Sequence, residues 1–308
     1  PHGCRRSPYH MKYAALSVLA AVAEGLRAAP RESLGPPIVR IPEGVRTVWV
    51  DVGTAGRSGL EANLLLDPSI YFIGIEPTHD FVKSMNGSLA RGGLKRRATM
   101  VERACTREAG QNLTFYVHPL QECNSLNPTN PHSPDVFRGQ CVGTRPREAA
   151  VRSVTLEELL RQLPGGMRVQ LLKVDVQGHE WPCIAGAVGE LSRVDNIHLE
   201  VQDVPSNTTA MYEQQLSLGL MDEKLLEKGF LRQYCESNNP SIREMNCLYT
   251  RRGSTPLWVT GGPQAGDPAV KFDLSVPPDF GNTFVDKFET SSEPGALAGR
   301  LRGFGLLP

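Results

Sequence analysis

Short apolar segments that each end in an acidic residue recur along the chain and constrain its fold more than any other feature. They are TVWVD (47–51), YFIGIE (71–76) and VQLLKVD (169–175). Segments of helical period lie between them, beginning with SGLEANLLL (58–66). Parallel strands need a crossover connection that is usually a helix, so this alternation is typical of parallel α/β sheets. The sequence therefore predicts an α/β fold with a parallel sheet.

The other elements of this domain follow from the same hydrophobic periods. Further strands are expected near 98–104, at 113–117 and at 197–202, with an antiparallel pair at 231–235 and 246–252. A helix is expected to begin at Thr155, whose hydroxyl can accept from a first-turn amide, with Glu158 three residues later. The clearest helical period covers 211–230. Residues 118–141 contain four prolines and no period, which predicts an ordered loop or a lid.

Three acidic residues stand where a predicted strand ends: Asp51, Glu76 and Asp175. In an open parallel sheet, ligands bind outside the carboxyl ends of the strands, so these carboxylates are predicted to border one site. Gly53 and Gly56 follow the first acid and permit a tight turn against a ligand. An acid at the end of the second strand can accept both ribose hydroxyls of an adenosine, and Glu76 is predicted to do this.

The first acid also helps to choose between two adenosine cofactors. Asp51 would repel the pyrophosphate of a nicotinamide dinucleotide, whereas S-adenosylmethionine carries an amino group and a positive sulfur. A methyltransferase is therefore preferred, and a nicotinamide-dependent oxidoreductase is the less favoured alternative.

The charge balance and the hydropathy limit the classes of partner. Lys+Arg and Asp+Glu are both 33, so no net field is available to hold a polyanion. Nucleic acid is not expected as a partner. The chain also lacks an apolar run of the ~18 residues that a membrane-spanning helix needs, so no stable membrane span is expected.

The seven cysteines show no Cys/His set at the spacing of a zinc site, and no metal site is expected. Cys123 and Cys141 bracket one loop, while Cys235 and Cys247 bracket another. In an oxidising compartment each pair could close its loop as a disulfide. Two pairs of free thiols are the alternative.

Two further features concern the compartment. N-x-[ST] sequons begin at Asn86, Asn112 and Asn207 and fit a secreted or lumenal protein. Met11 begins MKYAALSVLAAVA, which has the lysine, the short apolar run and the small-x-small end of a signal peptide. The alternative is a helix through about residue 27. The secretory pathway or the extracellular space is slightly favoured over the cytoplasm.

The motifs VDVGTAG, FIGIEP, VRSVTLEELL and LLKVDVQGHEWPCIAGA, in that order, resemble the FkbM-type S-adenosylmethionine-dependent methyltransferases over roughly residues 47–250. The most specific part is similar to the family's K-x-D-x-[EQ]-G-x-E signature, which matches Lys173, Asp175, Gln177, Gly178 and Glu180. The resemblance implies a Rossmann-like, seven-stranded, mostly parallel sheet with helices on both faces. It also implies S-adenosyl-L-methionine as cofactor and O-methylation of a sugar or small hydroxylated acceptor.

The first motif departs from the family's usual D-x-G-A-N-x-G, because Thr54, Ala55 and Gly56 follow Gly53. A non-catalytic member that serves as a binding module in the secretory pathway is therefore the alternative function. The residues predicted to bind the cofactor are Asp51, Gly53, Thr54, Gly56, Glu76 and Asp175.

Roles in catalysis are predicted for two residues of the signature. Asp175 is expected near the methyl group, and Asp175 or His179 is expected to take the acceptor's proton. Lys173 and Glu180 are expected to pair and hold the loop. Glu200 is expected in the acceptor pocket, whereas Tyr212 is interpreted as a packing residue.

Three regions are predicted. Residues 1–44 form an N-terminal segment and linker, 45–252 the methyltransferase-like domain, and 253–308 an irregular C-terminal extension.

Overall fold

The computed structural model describes residues 38–133, 141–187, 189–239 and 243–257. These residues all belong to one compact unit. Residues 1–37 of the expected N-terminal segment, with Met11, lie outside the described residues, as do residues 258–308 of the expected extension.

A seven-stranded sheet is the centre of the described structure. The described residues form ten strands, of which seven belong to this sheet. They are β1 (Thr47–Val52), β2 (Ile70–Ile75), β3 (Ala98–Val101), β4 (Ala104–Cys105), β5 (Asn112–Val117), β6 (Arg147–Val154), β7 (Arg168–Val174), β8 (Val194–Gln202), β9 (Phe230–Asn239) and β10 (Glu244–Arg251). The order of the main sheet is β3-β2-β1-β7-β8-β10-β9. Neighbours are parallel from β3 through β8, while β10 runs antiparallel to both β8 and β9. The expected Rossmann-like, mostly parallel sheet is confirmed.

The other three strands form a small second sheet of order β4-β6-β5. The predicted strand at 113–117 is therefore a strand, β5, but it pairs with β6 outside the main sheet.

Helices cover both faces of the main sheet, as expected. They are α1 (Glu61–Leu66), α2 (His79–Arg91), α3 (Leu156–Leu160), α4 (Glu180–Ala185) and α5 (Leu218–Glu227). Buried residues of α1 and α2 pack with Trp49 and Phe72, whereas α3, α4 and α5 pack with Val50 and Val174 on the other side. No helix in the described part of the chain is long and apolar enough to cross a bilayer.

The predicted helix start at Thr155 is confirmed in detail. Thr155 Oγ1 accepts from Glu158 N at 3.2 Å, and Thr155 N donates to Glu158 Oε2 at 3.4 Å, which completes a capping box.

The predicted helix at 211–230 is too long at its N-terminal end, since α5 begins only at Leu218. Gln214 has a φ of 62°, which interrupts a right-handed helix. Met211 N donates to Gln202 Oε1 at 2.8 Å, and the Tyr212 side chain is fully buried. The apolar residues of 211–217 are therefore buried by a loop and not by a helix face.

Both predicted cysteine pairs form disulfides. Cys123–Cys141 closes the irregular loop, and Cys235–Cys247 joins two residues that lie opposite each other on β9 and β10. A third disulfide, Cys105–Cys183, links β4 to α4 across a sequence separation of 78 and was not predicted.

Candidate functional site

A cavity of about 660 Å³ opens at the carboxyl ends of β2, β1 and β7, which are neighbours in the main sheet. Its lining includes five of the seven predicted site residues: Gly53, Thr54, Glu76, Asp175 and His179. Asp51 and Gly56 are not among the described residues that line it. Five of the predicted residues thus line one cavity at the strand ends.

Asp51 supports the site without lining the cavity. Its side chain is fully buried, and Ser58 Oγ donates to Asp51 Oδ2 at 2.5 Å. Lys173 Nζ lies 3.4 Å from Asp51 Oδ1. The carboxylate thus fixes the end of the glycine turn and one side of Lys173.

The turn after β1 needs glycine at its first position. Gly53 has a φ of +85°, and a Cβ added there would lie 1.7 Å from the backbone oxygen of Asp175. The loops after β1 and β7 are therefore in direct backbone contact. Although the sequence of this turn departs from the family's motif, Ala55 and Gly56 also adopt positive φ, at 45° and 78°, so the turn remains tight.

Thr54 lies in this turn and lines the cavity. Its hydroxyl is buried and has no hydrogen-bond partner among the described residues. A buried polar group without a partner costs free energy, so the hydroxyl is suited to contact a bound ligand.

Glu76 is held from two sides by backbone amides. Ala55 N donates to Glu76 Oε2 at 3.0 Å, and Thr78 N donates to Glu76 Oε1 at 2.9 Å. Burial raises the pKa of Glu76, and the carboxylate of Asp51 adds to the rise. Each carboxylate oxygen retains acceptor capacity, because an ionised carboxylate has about four lone-pair sites.

Lys173 bridges the ends of β1 and β7. Its ammonium lies 3.4 Å from Asp51 Oδ1 and 3.1 Å from Asp175 Oδ2. Burial opposes the charged form, but the carboxylates of Asp175 and Asp51 raise the pKa of Lys173 above its usual value. Lys173 thus stays charged and keeps two neighbouring carboxylates close together.

Glu180 does not pair with Lys173, contrary to expectation. Its Oε1 accepts from Gly178 N at 2.8 Å inside the turn that leads into α4. Burial raises the pKa of Glu180 to about 7. Lys173 has two nearer carboxylates on the adjacent strand ends, which explains why the expected pair does not form.

Gln177 links this turn to its surroundings. Its side-chain nitrogen donates to Asp175 Oδ1 at 3.2 Å and to Glu200 Oε2 at 2.5 Å. Tyr212 Oη donates to Gln177 Oε1 at 3.3 Å. A Cβ on Gly178, which has a φ of +91°, would lie 2.8 Å from Tyr212 Cβ. Tyr212, interpreted as a packing residue, also orients the signature loop.

His179 lines the cavity, but both of its ring nitrogens have protein partners. Nδ1 lies 2.8 Å from Asn127 Oδ1, and Nε2 lies 3.0 Å from Thr106 Oγ1. Asn127 Nδ2 donates to Gly178 O, so its amide oxygen faces the ring and Nδ1 is the donor. Nε2 then accepts from the Thr106 hydroxyl. Burial, with the nearby Arg107, lowers the pKa of His179 to about 4, so the ring is neutral at pH 7.

A chain of carboxyl groups continues from Asp175 along the cavity. Glu200 Oε1 accepts from Asn238 Nδ2 at 2.6 Å, and the same nitrogen donates to Glu244 Oε2 at 2.8 Å. Burial and the neighbouring carboxylates raise the pKa of Glu200 well above its ordinary value, and that of Glu244 to about 7. All four residues line the cavity. Glu200, expected in an acceptor pocket, lines this cavity, whereas Glu244 and Asn238 were not predicted.

The predicted loop 118–141 forms a wall of the cavity in its described part. Its lining residues are Leu120, Gln121, Glu122, Cys123, Asn124, Leu126 and Cys141. Ser125 Oγ donates to Gln177 O at 2.6 Å, and Asn127 Nδ2 donates to Gly178 O at 2.9 Å. The loop is therefore bonded directly to the signature turn.

The Cys105–Cys183 disulfide fixes the side of the site that holds His179. Cys105 lines the cavity and precedes Thr106, while Cys183 lies on α4, four residues after His179. The backbone at the end of α4 also lies in close contact with the backbone of Thr106, since a Cβ on Gly186 would lie 2.4 Å from Thr106 O.

Solved structures similar to the chain include several methyltransferases, all at low identity. TrmK from M. capricolum, in complex with S-adenosyl-homocysteine, is 7% identical with a TM-score of 0.37, over 68% of this chain and 63% of that one. The family 2 O-methyltransferase from Planctomyces limnophilus, in complex with apigenin, is 11% identical with a TM-score of 0.36, over 78% and 62%. The METTL16 methyltransferase domain is 10% identical with a TM-score of 0.39, over 70% and 63%.

The chain thus spans less than two thirds of each of these three proteins. At TM-scores below 0.5 the similarities are too weak to support a functional argument. No curated protein sequence matches the chain.

The family comparison is more specific. Residues 55–232 match the model of the methyltransferase FkbM domain, and this range begins at Ala55, within the glycine turn, and contains Glu76 and the complete signature. Because the match covers more than half of the chain, the protein belongs to the FkbM methyltransferase family.

Proposed function

We propose that the protein transfers the methyl group of S-adenosylmethionine to a hydroxyl oxygen of a sugar or another small hydroxylated acceptor. Membership of the FkbM methyltransferase family supports methyl transfer from this donor. The oxygen acceptor is our inference. One observation carries it: a single cavity has Glu76 on one side and the carboxyl chain Asp175, Glu200 and Glu244 on the other.

The residues on the Glu76 side fit the methyl donor. Glu76 retains acceptor capacity for the two ribose hydroxyls, and backbone amides fix its orientation. Gly53 allows the backbone to approach closely, and the unpartnered Thr54 hydroxyl can donate to a carboxylate of the ligand. The cavity volume of about 660 Å³ lies within the ordinary range of small-molecule sites. Bound donor would supply an activated methyl group.

Asp175 is suited to balance the positive charge of the donor. Burial opposes its ionised form, but the Lys173 ammonium and the amide of Gln177 lower the pKa of Asp175. The carboxylate is thus ionised at neutral pH and is a weak base. We therefore assign it electrostatic stabilisation and not proton uptake.

The acceptor's hydroxyl proton must be taken up as the new bond forms. His179 is a poor candidate, since Nε2 already accepts from Thr106. Glu200 is the better one, because it lines the cavity next to Asp175, and each of its oxygens keeps a lone pair beside the bond that it accepts from Gln177 or Asn238. The neighbouring carboxylate of Glu244, which accepts from the same Asn238 amide, favours the protonated form of Glu200 by its negative charge.

Donor binding tests the first half of the proposal. Titration calorimetry with S-adenosylhomocysteine should give saturable binding to the wild type. Glu76→Gln should weaken it about tenfold or more, since one charged acceptor is lost. Glu227→Gln, at an exposed position on α5, is the matched control and should bind like the wild type. Failure of the wild type to bind would contradict the proposal.

Transfer tests the second half. Labelled donor is incubated with a panel of sugars and hydroxylated metabolites, and the methyl position in the product is located by NMR. Transfer to nitrogen or carbon would contradict the oxygen assignment. Binding of donor without any transfer across the panel would favour the non-catalytic alternative.

The proton acceptor is tested separately on whichever acceptor is found. Glu200→Gln should lower kcat by roughly 10²–10⁴-fold while leaving the Kd of S-adenosylhomocysteine unchanged. Glu236→Gln, a half-buried position on β9 outside the cavity lining, is the control and should retain kcat. If Glu200→Gln retains kcat, another group takes the proton.

A further inference from the structure

We infer that the folded protein carries N-linked oligosaccharides at Asn86 and Asn112. The inference is independent of the methyltransferase assignment. It rests on two sequons whose asparagine side chains are exposed to solvent, and on three disulfides that indicate an oxidising compartment.

Asn112 begins the sequon Asn112-Leu-Thr114 at the start of β5. Asn112 and Thr114 are both exposed, while Phe115 is buried. Alternation along a strand places Asn112 and Thr114 on the same face, which here is the solvent face. β5 is also an edge strand of its sheet. An oligosaccharide on Asn112 would therefore extend into solvent without displacing the core.

Asn86 begins the sequon Asn86-Gly-Ser88 within α2. The buried residues of this helix are Val82, Met85 and Leu89, and Asn86 is exposed. Neither Asn86 nor Asn112 is among the residues that line the cavity. Modification at both sites is thus compatible with an open active site.

The cysteines supply the second observation. All six cysteines in the described part of the chain are joined in disulfides. Disulfides persist in secreted proteins and in the lumen of the secretory pathway, and they are rare in the cytosol. N-glycosylation of Asn-X-Ser/Thr takes place in that same pathway. The disulfides therefore place these exposed sequons where a glycosylating enzyme can act on them.

The modification is a group transfer from a lipid-linked oligosaccharide pyrophosphate. The side-chain amide nitrogen of the asparagine forms a bond to C1 of the first sugar and loses one proton. The bond between C1 and the pyrophosphate oxygen breaks, and the lipid pyrophosphate leaves with the electron pair.

Site-resolved mass spectrometry tests the inference on the full-length protein isolated from its own organism. Treatment with a peptide N-glycosidase in H₂¹⁸O converts a glycosylated asparagine into ¹⁸O-labelled aspartate. We expect the label at Asn86 and at Asn112. A peptide recovered entirely as unlabelled asparagine overturns the assignment for its own site.

Variants expressed through a eukaryotic secretory pathway give the matched comparison. Thr114→Ala destroys one sequon and should remove one glycan from the mass of the protein, while Thr114→Ser keeps the sequon and the glycan. Ser88→Ala and Ser88→Thr form the equivalent pair for Asn86. If both members of a pair carry the same glycan mass, the assignment of a glycan to that asparagine is wrong.

Discussion

The Cys105–Cys183 disulfide should contribute more to stability than the disulfide of the β9–β10 hairpin. A disulfide restricts the unfolded chain, and the entropy that it removes grows with the logarithm of the closed loop. The sequence separations are 78 for Cys105–Cys183 and 12 for Cys235–Cys247. Because Cys123–Cys141 is nested inside the longer loop, its effective length falls to roughly 60 residues. The chain-entropy relation then gives about 4 kcal/mol for the first and about 3 kcal/mol for the second.

The comparison uses the double variants Cys105→Ala/Cys183→Ala and Cys235→Ala/Cys247→Ala. Urea unfolding at 25 °C without reductant gives the free energy of unfolding of each. We expect both values to fall, with a loss about 1 kcal/mol larger for the first variant. Cys105→Ala/Cys183→Ala should also bind S-adenosylhomocysteine more weakly than the wild type, because the disulfide that it lacks holds the cavity-lining residue 105 against α4. An equal or larger loss of stability in the hairpin variant would refute the loop-length reasoning.

Two further predictions concern backbone contact and protonation at the site. Gly53→Ala would place a Cβ 1.7 Å from Asp175 O at a φ of +85°, so its affinity for S-adenosylhomocysteine should fall roughly tenfold or more, whereas Ala55→Gly should bind like the wild type. Wild-type affinity in Gly53→Ala, measured by calorimetry, would rule out that close contact. Burial raises the pKa of Glu180 to about 7 in the folded chain, so its contribution to stability is present at low pH and is lost as the pH rises through that value. The free energy of unfolding of the wild type should therefore fall relative to Glu180→Gln between about pH 5 and about pH 8, and a pH-independent difference in urea unfolding would contradict the prediction.

The main sheet was predictable because its strands carry their own signal. β2, for example, is buried at every position, so its apolar run cannot be confused with a half-exposed helix. The acids at the strand ends then located the cavity, since parallel strands bring their carboxyl ends to one edge. The predicted helix at 211–230 was wrong at its N-terminal end because part of its apolar pattern belongs to a loop. In that loop Tyr212 is buried against the signature turn.

The side of the cavity formed by Glu244 and Asn238 could not be predicted in the same way. Asn238 and Glu244 reach the cavity because β9 ends there and β10, which pairs antiparallel to it, begins there. The register of that pair shifts next to Glu244, and such an irregularity depends on tertiary packing. Cys105–Cys183 was missed because residues 78 positions apart share no local pattern that indicates contact.

Most of the K-x-D-x-[EQ]-G-x-E signature builds the site, and this affects how its variants should be interpreted. Lys173 holds two carboxylates together, Gly178 allows contact with Tyr212, and Glu180 bonds the backbone of its own turn. Asp175 faces the cavity as an ionised group. A substitution of Lys173, Gly178 or Glu180 is therefore expected to lower activity by displacing Asp175, even if the substituted residue has no chemical role of its own.

His179 illustrates the same distinction. A histidine close to a strand-end acid suggests a general base. The hydrogen bonds of its two ring nitrogens, however, join the start of α4 to Thr106 and to Asn127. Removing it should loosen both contacts and lower the affinity for the donor. Removing a proton acceptor at Glu200 should lower kcat at unchanged donor affinity. The ratio of these two effects, and not the loss of activity, distinguishes a residue that positions the site from one that takes part in the chemistry.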